Sequence, residues 1–210
     1  TINLNGNSLV NLKVDKGVLD ALVENSGTVI ADGGEIYLTT NAVDELLKGV
    51  VNNTGVIEAN SLDGLTGYVE LFAHGGTATV DGTIEAMDGF VETSGKELSV
   101  KSTAQITAGH WLIDPDNIII ASNGTEAIVG NPATTGTAGD VTVSANTIQT
   151  VLNGGTDVTL EAGEDITVNE DITWAEATKL TLNAGEDIYI NKSITATNAA
   201  GQLALYYGRG

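Results

Sequence analysis

Cysteine is absent from this chain, proline occurs twice, methionine once, and histidine only at His74 and His110. Without thiolates, and with two imidazoles far apart in sequence, the usual zinc and redox ligand sets are missing, and so is a disulfide framework. Aromatics make up only 4 % of residues. Positive charge is just as scarce, with 8 Lys+Arg against 28 Asp+Glu and a net charge of -20 over 210 residues. Phosphate neutralisation needs a basic face, so nucleic acid is excluded as a partner, and so is an electrostatic hold on anionic lipid. No apolar run approaches the roughly 20 residues of a bilayer span, which predicts no membrane span. The opening Thr-Ile-Asn-Leu carries no basic-then-apolar leader, which places any export signal outside these residues.

What the chain does have is 41 % hydrophobic residues, 26 Gly, 27 Thr and 18 Asn. That is enough apolar material for a core, and the polar remainder suits short strands joined by tight turns. The sequence also repeats. Leu160-Glu161-Ala162-Gly163-Glu164-Asp165-Ile166-Thr167-Val168-Asn169 aligns without a gap to Leu182-Asn183-Ala184-Gly185-Glu186-Asp187-Ile188-Tyr189-Ile190-Asn191, an offset of 22, and Ile172-Thr173 continues the match at Ile194-Thr195. A looser upstream series centres on Ile30, Ile57, Ile84 and Ile106, spaced 27, 27 and 22. Between these fall second strands at Gly34-Glu35-Ile36-Tyr37-Leu38, Gly67-Tyr68-Val69-Glu70-Leu71 and Gly89-Phe90-Val91-Glu92-Thr93.

Each unit holds two or three alternating strands of three to five residues, and one unit cannot bury its apolar side alone. Stacking units buries every inward Ile, Val and Leu against its neighbours. A propeller blade needs about forty residues, and a leucine-rich repeat needs a Leu and Asn ladder that is absent. The period therefore predicts an all-β fold, a parallel β-helix of roughly eight or nine coils, on the order of 40 Å long at about 4.8 Å per coil. Its predicted core is the stacked set Ile30, Ile57, Ile84, Ile106 and then Ile166, Ile188. Outward Thr and Asn then bond to their equivalents on neighbouring coils, and the acids discourage edge-to-edge pairing of rods.

Three stretches with helical spacing predict short helical insertions at coil corners: Gly17 to Val23, Asn41 to Gly49, and Ser144 to Gly154, the last with a Ser cap and a Gly stop. The Gly-rich stretch Ala121 to Gly139 is predicted to be an exposed loop. Residues 1–120 and 140–210 are then β-helix on either side of it.

Gly109-His110-Trp111-Leu112-Ile113-Asp114-Pro115-Asp116-Asn117-Ile118, with Val51-Asn52-Asn53-Thr54-Gly55-Val56-Ile57-Glu58-Ala59 and Val91-Glu92-Thr93-Ser94-Gly95, resembles the large exoproteins of Gram-negative two-partner secretion systems. These are filamentous-haemagglutinin-like proteins, and the high-molecular-weight adhesins of Haemophilus are nearest in character. The resemblance covers essentially the whole chain, and its most specific run is Trp-Leu-Ile-Asp-Pro. It implies a secreted, right-handed parallel β-helix at the bacterial cell surface, exported through an outer-membrane partner that acts on a region outside this chain. The family's Asn-Pro-Asn secretion signatures are missing, since Asn131-Pro132 is not one, so the resemblance leads to the expectation of an internal fragment. Family members include adhesins, haem-acquisition proteins and stalks of contact-dependent toxins. Adhesion, with a host-cell receptor or glycan as partner and a monomeric rod, is the leading expectation, and haem capture through His74, Tyr206 or Tyr207 is the alternative. No cofactor is expected.

Polysaccharide-active enzymes also use β-helices, so the acids were weighed for catalysis. A lyase needs a base beside a cation site, but the only Arg is Arg209 and seven Lys are scattered. A hydrolase needs two or more Asp on neighbouring coils facing one cleft; Asp114 and Asp116 are close in sequence, but Asp114-Pro115 reads more simply as a turn, and no catalysis is expected. Glu164-Asp165 and Glu186-Asp187 are expected to stack about 5 Å apart as a solvated acidic face. Asn123, Thr125, Asn131, Thr134, Thr135 and Thr137 in the long loop are the candidate partner-binding groups, because recognition falls on loops carried by a rigid scaffold. Sequons occur at Asn52, Asn123 and Asn191, about the three that chance supplies; the resemblance makes them candidates for glycosylation.

Overall fold

The structure is a computed structural model, described for residues 2–3, 10–13, 21–41, 49–101, 103–122 and 140–208. Among the described residues strands dominate, with one short helix, and every named strand pairing is parallel. The largest sheet has 13 strands; a 4-stranded and a 2-stranded sheet accompany it, and none closes into a barrel. Parallel neighbours demand long crossovers, and here each crossover is a whole repeat. Thr28 pairs with Val56, and Val56 with Thr83. Downstream, Val158 pairs with Leu180, Ile166 with Ile188 and Ile172 with Ile194. The 22-residue repeat read from the sequence is therefore the pairing register itself.

Alternation sets the two faces of each strand. In strand Asp157–Ala162 the residues Val158, Leu160 and Ala162 point inward and Asp157, Thr159 and Glu161 outward. The inward column Val69, Val91, Trp111, Val158 and Leu180 runs through five paired strands, and each member is fully buried. Trp111 is accommodated because the inward position beside it is Thr93, whose buried Oγ1 accepts a 2.9 Å bond from the indole Nε1. A Trp N–H in an apolar core needs such a partner.

The core differs from expectation at two places. Ile30 is not in it. Val29 pairs with Ile57 and is buried, whereas Ile30 pairs with Glu58 and faces outward. The step there is 28 rather than 27, and a one-residue slip turns a side chain to the opposite face. Nor is the Ile set one continuous stack, because Ile84 and Ile106 pair in the 13-stranded sheet and Ile166 pairs with Ile118 and Ile188 in the 4-stranded one.

Of the three helical stretches, the one that is fully described is a helix. Ala145–Asn153 buries Ala145, Ile148, Val151 and Leu152 at helical spacing. Ser144 is its N-cap but makes no side-chain capping bond, and Gly154 closes it in the right-handed region; the left-handed residue is the next one, Gly155, at φ 91°. The Gly17 to Val23 prediction fails where it is described. Ala21–Asn25 is a strand, with Leu22 exposed and Val23 buried. Strand alternation there overrides an apolar cluster that fits a helix equally well. In Asn41 to Gly49, Asn41 ends one strand and Gly49 starts another; the residues between lie outside the described set, as does most of Ala121 to Gly139.

One connection runs out of sequence order. Strand Asn117–Ala121 pairs on one side with Ile166–Val168 and on the other with Asp140–Ser144. Asp140–Ser144 in turn lies against strand Thr83–Val100. A strand later in sequence is thus inserted between two earlier ones.

Candidate functional site

The outward face of the 13-stranded sheet carries the most concentrated chemistry among the described residues. Strands Glu35–Asn41, Tyr68–Val80, Thr83–Val100 and Gln105–Ile113 lie side by side with Tyr68 opposite Phe90 and Phe90 opposite His110. Because the side chains alternate, these residues share the solvent face and their rings meet. Centroids are 5.4 Å apart for Tyr37 and Tyr68, 5.4 Å for Tyr68 and Phe90, and 5.2 Å for Phe90 and His110. The last two pairs are nearly parallel, at 2° and 11°. Parallel rings on neighbouring strands turn their faces to one another, and all four residues are only partly buried.

A column of carboxylates flanks the rings. Glu70 pairs with Glu92, two residues along from Tyr68 and Phe90. The Tyr68 hydroxyl lies 3.2 Å from Oε2 of both, and Tyr37 donates to Glu35 at 3.0 Å. Burial against the sheet pushes Glu70 and Glu92 above the usual carboxylate range, and for Glu92 the charge of Glu70 adds to it. Loss of hydration and then the bond to Glu35 push the Tyr37 hydroxyl up to about 12; Tyr68 rises further, through burial and then the charges of Glu92 and Glu70. Burial lowers His110, which favours its neutral ring. Beyond Glu92, Asp114 is raised to about 6, by lost hydration first and then by Glu161, Glu92 and Asp116. The face is a strip of neighbouring rings beside carboxylates held close to one another.

The sequence-predicted sites fare differently. Asn123, Thr125, Asn131, Thr134, Thr135 and Thr137 all lie outside the described residues. Asn52 is half-buried in strand Gly49–Asn53, with its Oδ1 buried and unpartnered, whereas Asn191 is exposed and donates to Asn169 Oδ1 at 2.8 Å. His74 lies in strand Tyr68–Val80; Tyr206 and Tyr207 are exposed near the other end of the chain. Asp114 and Asp116 fall between strands Gln105–Ile113 and Asn117–Ala121, a connection that fits the turn reading.

The stacked acids have a local structural role. Asp165 Oδ1 accepts the backbone N–H of Asp187 at 3.0 Å, and the Glu164 carbonyl accepts that of Glu186. The same device recurs: Asp32 holds the N–H of Asn60, Asp157 that of Lys179, Asp171 that of Ser193 and Asn153 that of Ala175. Corner Asp and Asn residues thus satisfy backbone donors one repeat away. Among the described residues, no group of three or more His, Asp or Glu is placed to hold a metal ion.

Sequence reasoning missed the aromatic strip, although Gly67-Tyr68-Val69-Glu70, Gly89-Phe90-Val91-Glu92 and Gly109-His110 carry its signal, a ring after each glycine at offsets of 22 and 20. No protein-family model, curated protein or solved structure matches the chain.

Proposed function

We propose that this chain is a non-catalytic rod segment of a secreted, cell-surface adhesin of a Gram-negative bacterium, folded as a right-handed parallel β-helix. In this reading the rod contacts a host receptor or glycan, or projects a contact made elsewhere. The observation that carries it is the continuity of parallel register, with strands pairing whole repeats apart from Thr28 to Tyr206. Such stacking makes a stiff, extendable spacer, each repeat resting only on its neighbours. The resemblance of the Trp111-Leu112-Ile113-Asp114-Pro115 run to two-partner secretion exoproteins supports the secreted, surface setting. No helix of the described residues is long and apolar enough to cross a membrane.

The test is binding of the purified chain to host epithelial cells and to a glycan array. Saturable binding in either supports an adhesive segment, and absence of binding to both leaves only the spacer half of the reading. A Soret shift on haem titration would replace adhesion by haem capture, and release of reducing ends or unsaturated products from an acidic polysaccharide would replace it by catalysis.

A further inference from the structure

We propose that the strip formed by Tyr37, Tyr68, Phe90 and His110 with Glu70 and Glu92 is a docking face for a basic protein segment that presents arginine side chains. This surface is fixed by the register of four strands, and it stands whether or not the rod belongs to an adhesin.

Three features of the strip select that occupant. The first is charge. Glu70 and Glu92 are aligned on neighbouring strands, with the Tyr68 hydroxyl against both. One phenolic proton cannot neutralise two carboxylates, and a cation between them relieves a repulsion that the fold holds in place. Lys179, past Asp157, acts on His110 at one end of the ring column. The second is shape. The Tyr68, Phe90 and His110 rings stack nearly parallel at 5.2–5.4 Å, which leaves half-buried ring edges for a flat guanidinium to pack against while its N–H fork reaches the carboxylates beside them. An ammonium has the charge without the plane, so arginine is favoured over lysine. The third is repetition. Rings and carboxylates recur on neighbouring strands, and an extended segment, whose same-side residues recur about every 6.8 Å, brings successive side chains over them. An uncharged sugar would use the rings but leave the carboxylate pair uncompensated.

Isothermal calorimetry on the intact chain at 0.15 M salt tests this with nine-residue peptides alternating Ser with Arg, Lys or Gln. The Arg peptide is expected to bind, the Lys peptide at least about 5-fold more weakly, and the Gln peptide not at all. Because any polycation is drawn to a chain of net charge -20, two charge-matched double variants separate site from bulk attraction. E70Q/E92Q should weaken the Arg peptide at least about 10-fold, and E164Q/E186Q, which removes equal charge elsewhere, by less than about 2-fold. Phe90→Ala should weaken it several-fold with unchanged circular dichroism; if that variant unfolds, the two charge pairs decide alone. No Arg-peptide binding, equal loss in both charge pairs, or equal Arg and Lys affinities would overturn the proposal. Tighter binding of a neutral oligosaccharide lost on Phe90→Ala would replace the basic occupant by a glycan.

Discussion

From Val158 to Tyr206 every pairing steps by 22 or 23 residues, whereas from Thr28 to His110 the steps are 28, 27, 33, 22 and 20. Both regions are built of parallel strands, yet only the downstream one announces its register residue by residue. The difference lies in the corners. Downstream, the corners keep one length apart from a single extra residue before Gln202, and Asp157, Asp165 and Asp171 each hold the backbone of the next repeat. Upstream, corners vary in length, and bulges such as that between Ala108 and His110 absorb the mismatch. Val29, Ile57, Ile84 and Ile106 nonetheless stay paired and buried across steps of 28, 27 and 22, so corner length can change while the column holds its phase, and it is the fixed period that is lost to a reader of the sequence.

Ile84 against Ile30 tests the upstream register most sharply. Ile84 is fully buried between Ile57 and Ile106, while Ile30 lies outward beside Glu58. Ile84→Asp buries an unpaired charge and is expected to cost on the order of 4 kcal/mol or more, enough to abolish a cooperative melt in a marginally stable fold. Ile30→Asp should cost under about 1 kcal/mol, most of it from a new carboxylate beside Glu58. Thermal denaturation of the two variants decides it. Equal losses would restore the even 27-residue spacing and refute the slip at Val29.

The downstream counterpart uses two glycines that are equivalent in the repeat. A Cβ on Gly185 would fall inside the van der Waals radius of the Gly163 carbonyl oxygen, but one on Gly163 would meet nothing nearer than 3.7 Å. Backbone is a partner that cannot yield by changing rotamer, so Gly185→Ala is expected to lose about 1–3 kcal/mol, and Gly163→Ala should stay within about 0.5 kcal/mol. Chemical denaturation reads both. The repeat in sequence conceals this asymmetry, because Gly163 is preceded by the irregular Asp114 to Asp116 connection, not by another copy of itself.

How far the sequence could be read follows from the same contrast. The pairings Leu160 with Leu182 and Ile166 with Ile188 were legible, since a gapless repeat and a parallel register are one statement. Ile30 was misassigned because Thr28-Val29-Ile30-Ala31 offers two adjacent β-branched residues and only the corner length chooses between them. Ala21 to Val23 was misread because a short apolar cluster has no period of its own. The insertion of Asp140–Ser144 beside Asn117–Ala121 leaves no mark in the sequence, for it reverses spatial order without altering the alternation of either strand. The candidate strip was overlooked for a different reason. Tyr, Phe and His are unlike as letters, yet they form one column of rings once the register is known.

The corner carboxylates allow a finer comparison between the regions. Asp32 upstream and Asp165 downstream each accept one backbone N–H, from Asn60 and Asp187, at 3.0 Å. Alanine at either position should cost about 1 kcal/mol, the usual net value of such a bond, and asparagine should recover most of it by accepting the same proton. A loss restored by asparagine at Asp165 but not at Asp32 would show that the upstream corner depends on charge as well as on the bond.

The smallest effect concerns pH, and it falls where the two regions join. Asp114 follows the last upstream strand, and lost hydration, Glu161, Glu92 and Asp116 raise its carboxyl to about 6, whereas an unfolded chain gives about 3.9. The folded state therefore holds this proton more tightly. The charged form carries a penalty that is absent below pH 4, grows between pH 4 and 6, and is complete above pH 6. Because Asp114 is exposed, solvent screening keeps that penalty below about 1 kcal/mol. Acidification from pH 7 to pH 5 should accordingly raise the melting temperature by a degree or two. The Asp114→Asn variant should melt slightly higher at pH 7 and show a shallower gain on acidification. Glu58, Glu70 and Glu92 are raised as well and titrate in the same direction, so the slope will not vanish in that variant. An Asp114→Asn slope identical to that of the parent would assign the effect to these three glutamates instead of Asp114.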